Sequence, residues 1–227
     1  CNLFKEKNVD FYKSLYNGLN FEVLIGIRDQ LRPEVPNSVL QCHKAGIKVR
    51  MVTGDNIMTA LAISKDSYII SEDQFNEALE EIDKYRQICN KILRPNRNYS
   101  SNNIRKQSID HTLEKISSDD FDSPIALEGE QFRVLSGNLT KFYDEKTHKI
   151  KTIELNDIEM FKKATKRLRV IARATPEDKF LLVFGLKQLE NIIAVTGDGT
   201  NDAPALKEAH VGFAMGIRGT DIAQQES

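Results

Sequence analysis

The residues best suited to chemistry lie in one loop, Thr196-Gly197-Asp198-Gly199-Thr200-Asn201-Asp202-Ala203-Pro204-Ala205-Leu206. The apolar run before it predicts a buried strand that ends at Gly-Asp-Gly, where the backbone can turn tightly and approach a ligand. Asp198 and Asp202 place two carboxylates above this loop, which suits Mg²⁺, a cation that prefers oxygen ligands and retains several waters. The alternative is a solvated turn followed by an aspartate that caps a helix.

A second strand end carries Thr53-Gly54-Asp55, and a helix is expected after it. The free N–H groups at the start of a helix favour an anion, and Thr53 adds a hydroxyl donor. Alone, this triplet would often be a capping turn. Its recurrence as Thr196-Gly197-Asp198 after another strand favours a phosphate-binding role for both.

A third segment, Arg173-Ala174-Thr175-Pro176-Glu177-Asp178-Lys179, predicts a helix that Thr175 caps and that begins at Pro176. Lys179 then lies in the first turn, where a cation is unfavourable unless an anion is close, although exposed lysines are common. Together the three segments predict a metal carboxylate, an anion-binding turn and a counter-charge. These are the parts that phosphoryl transfer requires.

The elements that must position these residues alternate between strand and helix. The first region predicts the strand Phe21–Ile27, the helix Pro33–Ala45, the strand Ile47–Val52 and the helix Asn56–Ser64. After Ile125 come an ordered segment Phe132–Ser136, the helix Asp157–Lys166, the strand Leu168–Ala172, the helix Pro176–Leu189, the strand Ile192–Val195, the helix Pro204–Ala209 and the strand Val211–Ala214. This alternation predicts an α/β protein with a doubly wound parallel sheet, whose ligands bind at the carboxyl ends of the strands.

Residues 67–124 interrupt this pattern and are expected to form a polar, partly disordered insertion. A helix over Gln74–Ile92 has apolar residues at helical spacing, typical of a docking face. Residues 94–122 are rich in Asn, Ser, Asp and Lys.

Composition excludes several functions. With 32 basic and 33 acidic residues, the chain has no field of one sign to attract nucleic acid. Its three cysteines form no Cys-x-x-Cys pair and indicate reduced thiols. The longest apolar run, Phe180–Leu186, is far shorter than the roughly 20 residues of a membrane helix.

Four blocks together resemble the successive signatures of P-type ATPases, whose phosphorylation domain has the haloacid dehalogenase fold. They are 29–35, 45–56, 172–179 and 196–206, in the order of that family. Within them, Val-Arg-Met-Val-Thr-Gly-Asp-Asn at 49–56 resembles plasma-membrane-type calcium pumps, as does the ending 211–223. The resemblance implies an ATP-driven pump that uses Mg²⁺, transports Ca²⁺ and presents this chain on the cytosolic face of a plasma or internal membrane.

The resemblance also implies residue roles. Asp198 and Asp202 belong to the Mg²⁺ site, and Asp202 orders its loop together with Asn201. The implied catalytic residues are Thr53, Lys179, Asp198 and Asp202. The implied residues for phosphate and nucleotide are Asp29, Arg32, Thr53, Gly54, Asp55, Arg173, Lys179 and Asn201.

The same resemblance divides the chain into functional regions. Residues 1–20 would end the nucleotide-binding domain, and residues 21–66 would form the hinge and the first part of the phosphorylation domain. Residues 125–227 would complete that domain and lead toward a membrane helix.

The family's nucleophile lies in an Asp-Lys-Thr-Gly-Thr segment, which does not occur in these 227 residues. In the family this segment belongs to the central strand of the sheet. Without that strand, the sheet of this chain is expected to have a gap with unpaired strand edges. We therefore expect the chain alone to be marginally stable, to self-associate and to lack ATPase activity. Its natural partner would be the remainder of a pump chain.

Two other functions remain open from the residues. A soluble phosphatase of the dehalogenase fold would need an early catalytic aspartate, and Asp29 is the only candidate, although it lacks the usual Asp-x-Asp or Asp-x-Thr spacing. A non-catalytic module would use the insertion to recruit a regulator. The residues do not specify the transported cation or the host membrane.

Overall fold

The computed structural model describes residues 20–26, 30–93, 122–143 and 150–215. The chain divides into two units, Cys1–Gln30 and Leu31–Ser227. In the first unit, residues 20–26 form neither strand nor helix, and Leu24 is 86% exposed. The strand predicted over Phe21–Ile27 is therefore wrong for its described part, because an extended segment needs a paired neighbour to become a strand and no described strand pairs with it.

The second unit alternates strands and helices, and the helices predicted between Pro33 and Ala209 are present with ends shifted by a few residues. The described helices are α1 (Val35–Lys44), α2 (Ile57–Asp66), α3 (Glu72–Leu93), α4 (Gly129–Leu135), α5 (Ile158–Thr165), α6 (Pro176–Gln188) and α7 (Ala203–Glu208). The described strands are β1 (Met51–Val52), β2 (Ala126–Glu128), β3 (Leu139–Tyr143), β4 (Ile150–Leu155), β5 (Val170–Ala172), β6 (Ala194–Gly197) and β7 (Val211–Ala214).

The strands form three separate sheets. The largest is parallel, in the order β1-β5-β2, and Val170 of β5 lies opposite both Met51 and Ala126. β6 and β7 form a second parallel pair, and β3 and β4 form an antiparallel hairpin. The prediction of an α/β protein with parallel strands is confirmed, and β1 and β6 belong to different sheets.

Helices cover both faces of the largest sheet. Successive strand residues point to opposite faces, so Ile171 joins the core formed with α4, α5 and α6, including Phe132 and Phe161. Val170 and Ala172 join a second core with α1 and α2. Burial on both faces explains why the sequence of β5 is continuously apolar.

Helix α3 lies inside the predicted polar insertion and packs on both cores. Its first half contributes Ala78 to the core that contains α1 and α2, and its second half contributes Tyr85 and Cys89 to the other. Burial raises the pKa of the Cys89 thiol to about 12. Of the rest of the predicted insertion, residues 67–71 and 122–124 are described, with Ile69 and Ile70 buried, and residues 94–121 lie outside the described residues.

The described strands differ from the prediction in their starts and in elements that were not predicted. β5 begins at Val170, not Leu168, and β6 begins at Ala194, not Ile192. β1 begins at Met51, whose N–H donates to the Arg169 carbonyl (2.8 Å), whereas the expected strand began at Ile47. The short β2 and the β3–β4 hairpin were not predicted, because three residues give little periodicity and a hairpin is set by pairing across its turn.

No helix among the described residues is both long and apolar enough to span a bilayer.

Candidate phosphoryl-transfer site

The loop after β1 is tied to the loop after β5. The Thr53 N–H donates to the Ile171 carbonyl (2.9 Å), and the Ala174 N–H donates to the Thr53 carbonyl (2.9 Å). The Arg173 N–H donates to the Asp55 carbonyl (2.8 Å). Two segments predicted separately to bind phosphate or nucleotide therefore lie side by side at the carboxyl ends of adjacent strands.

The Thr53 hydroxyl is oriented by its own turn, because Oγ1 accepts from the Asp55 N–H at 3.1 Å. The next residue, Asn56, caps α2 by accepting from the Thr59 N–H at 3.0 Å. Gly54 and Asp55 remain exposed between these two bonds. The turn thus has a fixed shape and an open outer surface.

Helix α6 begins with a reciprocal cap that holds Lys179 in place. Thr175 Oγ1 accepts from the Asp178 N–H (3.3 Å), and Asp178 Oδ2 accepts from the Thr175 N–H (2.8 Å). Asp178 is fully buried and pairs with Arg133 at 2.5 Å. A buried carboxylate needs such partners, so the start of α6 is anchored to α4.

The anion that Lys179 requires is Asp202. Lys179 Nζ donates to Asp202 Oδ1 at 2.5 Å, and the two side chains are only 18% and 14% exposed. The second oxygen, Asp202 Oδ2, accepts from the Gly199 N–H at 3.4 Å. Both carboxylate oxygens therefore have partners within the chain.

Gly197 is required by the position of Asp202. A Cβ at Gly197 would lie 2.5 Å from Asp202 Cβ and 2.8 Å from its Cγ. The strand end and the Asp202 side chain pack against each other with no room for a methyl group. The glycine is explained by this close approach.

A groove lies between β1 and β6, with a cavity volume of about 380 Å³. Val52 lies on one side, and Val195 and Thr196 lie on the other. Lys179 and Asp202 also line the groove, so the ion pair borders the space between the two strand edges. Its remaining lining is mostly apolar and includes Cys42, Leu182, Leu186 and Phe213, together with the cations Lys48 and Arg50.

The comparisons with known proteins give relatives along nearly the whole chain. Calcium-transporting ATPase 2 of Saccharomyces cerevisiae is 38% identical over 96% of this chain, and plasma membrane calcium-transporting ATPase mca-1 of Caenorhabditis elegans is 38% identical over 94%. Putative calcium-transporting ATPase 13, plasma membrane-type, of Arabidopsis thaliana is 34% identical over 99%. The resemblance to P-type calcium-transporting ATPases is confirmed.

The chain spans 13% of the length of the first two of these ATPases and 16% of the third. No family model matches it. A solved catalytic domain of the CPx-ATPase CopB-B shares 36% identity over 31% of this chain and 27% of that chain, with a TM-score of 0.26.

The structure separates the roles available to the two predicted metal ligands. Asp198 follows β6 with an exposed side chain that makes no hydrogen bond or ion pair with a described residue. The two carboxylate oxygens of Asp202 bind Lys179 and Gly199, an arrangement that suits a residue that orders the loop. Among the described residues no group of three His, Cys, Asp or Glu could hold a metal by itself. One open carboxylate fits Mg²⁺ when phosphate and water complete its shell.

The structure places the remaining predicted residues at different positions. Asn201 is exposed in the 3₁₀ turn Thr200–Asp202, and Arg32 is exposed before α1. Arg173 has a left-handed backbone (φ 47°), and its guanidinium lies 3.8 Å from Glu128. Asp29 lies outside the described residues.

Sequence reasoning missed the support beneath Lys179. The Thr175-x-x-Asp178 spacing is a capping-box signal that could have identified Asp178. Nothing in the local sequence marks Arg133 as its partner, because the two residues are 45 positions apart. Only the packing of α4 against α6 brings them together.

Proposed function

We propose that this chain forms part of the cytosolic catalytic region of an ATP-driven calcium pump, with a haloacid dehalogenase-like sheet and Mg²⁺ and ATP as its cofactors. The identity to calcium-transporting ATPases over nearly the whole chain supports the assignment. The observation that carries it is the groove between β1 and β6, which the Lys179–Asp202 pair borders. We infer that this groove receives the strand that ends in the phosphorylated aspartate.

The edges of the groove support this inference. β1 pairs only with β5, and β6 pairs only with β7, so each leaves one edge without a described strand partner. The apolar lining between them suits an extended segment with aliphatic side chains. An inserted strand would join the two parallel sheets into one.

The residues around the groove then have definite tasks. Lys179 balances charge on the phosphoryl group, and its bond to Asp202 holds the ammonium in position. Thr53 and Gly54 offer hydroxyl and backbone donors to phosphoryl oxygens. Asp198 is the ligand for Mg²⁺, which when bound neutralises charge on the phosphate. The resemblance assigns Asp55, Arg32, Arg173 and Asp29 to contacts with the nucleotide.

The test is complementation with a synthetic peptide, an apolar strand that ends in Asp-Lys-Thr-Gly-Thr. Cys42 lines the groove, so peptide binding should protect it from alkylation. The Cys1→Ser variant removes a competing thiol. Cys89 should not be alkylated at pH 8, because its pKa of about 12 keeps the thiol protonated at that pH.

We expect the peptide to slow Cys42 alkylation at least tenfold and a scrambled peptide to leave it unchanged. A peptide with Asn in place of the aspartate should protect equally but accept no phosphate from ATP and Mg²⁺. The chain without peptide should hydrolyse no ATP. Equal alkylation with both peptides would refute the groove assignment, and a phosphatase activity abolished by Asp29→Asn would refute the pump assignment.

A further inference from the structure

A second surface lies at the opposite edge of the sheets, where the strands begin. A cavity of about 790 Å³ is formed there by the segment before β1, helix α5 and the segment before β6. The proposed phosphoryl-transfer residues follow the strands, whereas this surface precedes them. It adjoins the groove between β1 and β6, because Ile47, Lys48 and Arg50 line both. We call it the basic face.

The basic face is strongly cationic. Its lining contains five basic side chains and one acidic side chain: Lys48, Arg50, Lys162, Lys163, Lys166 and Glu159. Lys48, Lys162 and Lys166 form no ion pair with any described residue. Since the whole chain has a net charge of −1, this positive field is local.

Arg50 and the nearby Arg169 add charge without a carboxylate partner among the described residues. Arg50 donates from Nε to the Leu168 carbonyl (3.0 Å) and from Nη2 to the Thr165 carbonyl (3.2 Å). Burial and the nearby Arg169 lower the pKa of Arg50. Arg169 Nη1 is buried and has no hydrogen-bond partner in the described part of the chain. Carbonyl oxygens satisfy two of the Arg50 donors, and no described carboxylate compensates the positive charge of the two arginines.

Exposed aliphatic side chains lie among these cations. Ile192 is 88% exposed and Ile47 is 56% exposed, and both line the same cavity. Lysines that surround exposed aliphatic residues are the combination that binds an anionic bilayer surface, where headgroups meet the cations and aliphatic groups enter the interface. A small free anion would make no use of the isoleucines.

We propose that the basic face docks on the anionic surface of a lipid bilayer, with Lys48, Lys162 and Lys166 against the headgroups and Ile192 and Ile47 in the interface. None of these five side chains is among the proposed ligands of phosphate, metal or nucleotide. It adds a second function to the chain, the positioning of the domain at a membrane surface.

The test is co-flotation of the full 227-residue chain with vesicles, which separates bound protein from aggregates. Vesicles of phosphatidylcholine alone should carry little protein, and vesicles that also contain phosphatidylserine should carry most of it. Binding should weaken strongly from 0.1 M to 1 M salt, since the screening length falls from about 10 Å to about 3 Å. Equal flotation with both vesicle types would overturn the proposal.

Two variants test the residues. Each lysine near an anionic surface contributes about fivefold to partitioning, so Lys48→Gln/Lys162→Gln/Lys166→Gln should weaken binding roughly a hundredfold. The control Lys91→Gln/Lys151→Gln/Lys207→Gln makes the same change in net charge at exposed positions elsewhere and should bind nearly as the parent does. Circular dichroism establishes that both are folded. If the two triple variants bind equally, the basic face is not the docking surface.

Ile192→Ser separates a bilayer from other anions. It should lower vesicle binding severalfold while every lysine is retained. Inorganic phosphate at millimolar concentration should not displace the vesicles, and polyglutamate should bind less tightly than they do. Displacement by phosphate would indicate a small-anion site, and preference for polyglutamate would indicate an acidic protein partner; either result would overturn the proposal.

Discussion

Asp202 is held by bonds at both of its carboxylate oxygens, and it packs so closely on Gly197 that a side chain there would clash with it. The first oxygen binds Lys179 and the second accepts from Gly199. Ionic groups with low exposure need such complete pairing, because an unpaired charge in this position is strongly unfavourable. The geometry of the loop therefore depends on contacts that the loop makes with itself and with α6.

The substitution Gly197→Ala tests this dependence. The new Cβ would lie 2.5 Å from Asp202 Cβ, so the Asp202 side chain must shift and weaken its bond to Lys179. We expect a loss of about 1–3 kcal/mol in the free energy of unfolding, measured with urea.

Gly199→Ala is the matched control, two residues away. A Cβ there would meet no atom closer than 3.9 Å, and the backbone has a negative φ of −113°. It should therefore cost less than about 1 kcal/mol. Equal losses in the two variants would contradict the close-packing explanation.

The sequence predicts where the candidate site residues lie on strands and helices better than it predicts the hydrogen bonds and ion pairs between them. Thr53, Lys179 and Asp198 were expected near strand ends or a helix start, and each lies there. The pairing of Lys179 with Asp202 was not predicted, because spacing along the chain does not reveal which side chains meet across α6 and the 3₁₀ turn. Their catalytic and metal-binding roles remain predictions.

At the scale of elements, α6 positions Lys179, which lies in its first turn. Its start is fixed by a capping box whose acidic member, Asp178, is also the buried partner of Arg133. Helix caps are usually exposed and contribute modestly, whereas this one joins two helices. The cap therefore links the position of Lys179 to the packing of α4.

The substitution Asp178→Ala should be far more costly than removal of an ordinary cap. It removes the cap and leaves Arg133 without its carboxylate, so we expect a loss of about 3 kcal/mol or more in the free energy of unfolding. Asn56→Ala removes the exposed cap of α2 and should cost about 1 kcal/mol. Thermal and urea unfolding measure both. A similar cost for the two would show that the Arg133 pair contributes nothing.

Element boundaries were predictable where they depend on local chemistry. Asn56 and Thr175 mark helix starts in the sequence, and both cap helices in the structure. Strands depend on partners, so the apolar segment 21–26 was wrongly expected to be one, and the three-residue β2 was overlooked. Side-chain pattern shows that a segment can be a strand, whereas pairing decides whether it is.

At the scale of the whole molecule, the division between the β1 and β6 sheets is the dominant feature. The proposed ligand loops follow the carboxyl ends of β1 and β6, and the basic face lies before the starts of the same two strands. The groove between them exposes two strand edges and an apolar lining. Such edges template pairing with another chain unless they are covered or charged.

We therefore expect the isolated chain to self-associate through this groove, with a weight-average mass in sedimentation velocity that rises with concentration. Thr196→Lys places a charge on exposed β6 beside the groove and should shift the association to severalfold higher concentration. Thr152→Lys makes the same change on exposed β4, outside the groove, and should associate as the parent does.

The Asp-Lys-Thr-Gly-Thr peptide should return the parent chain to monomer, because one strand would cover both edges. If the two lysine variants associate equally and the peptide has no effect, the groove is not the contact between copies.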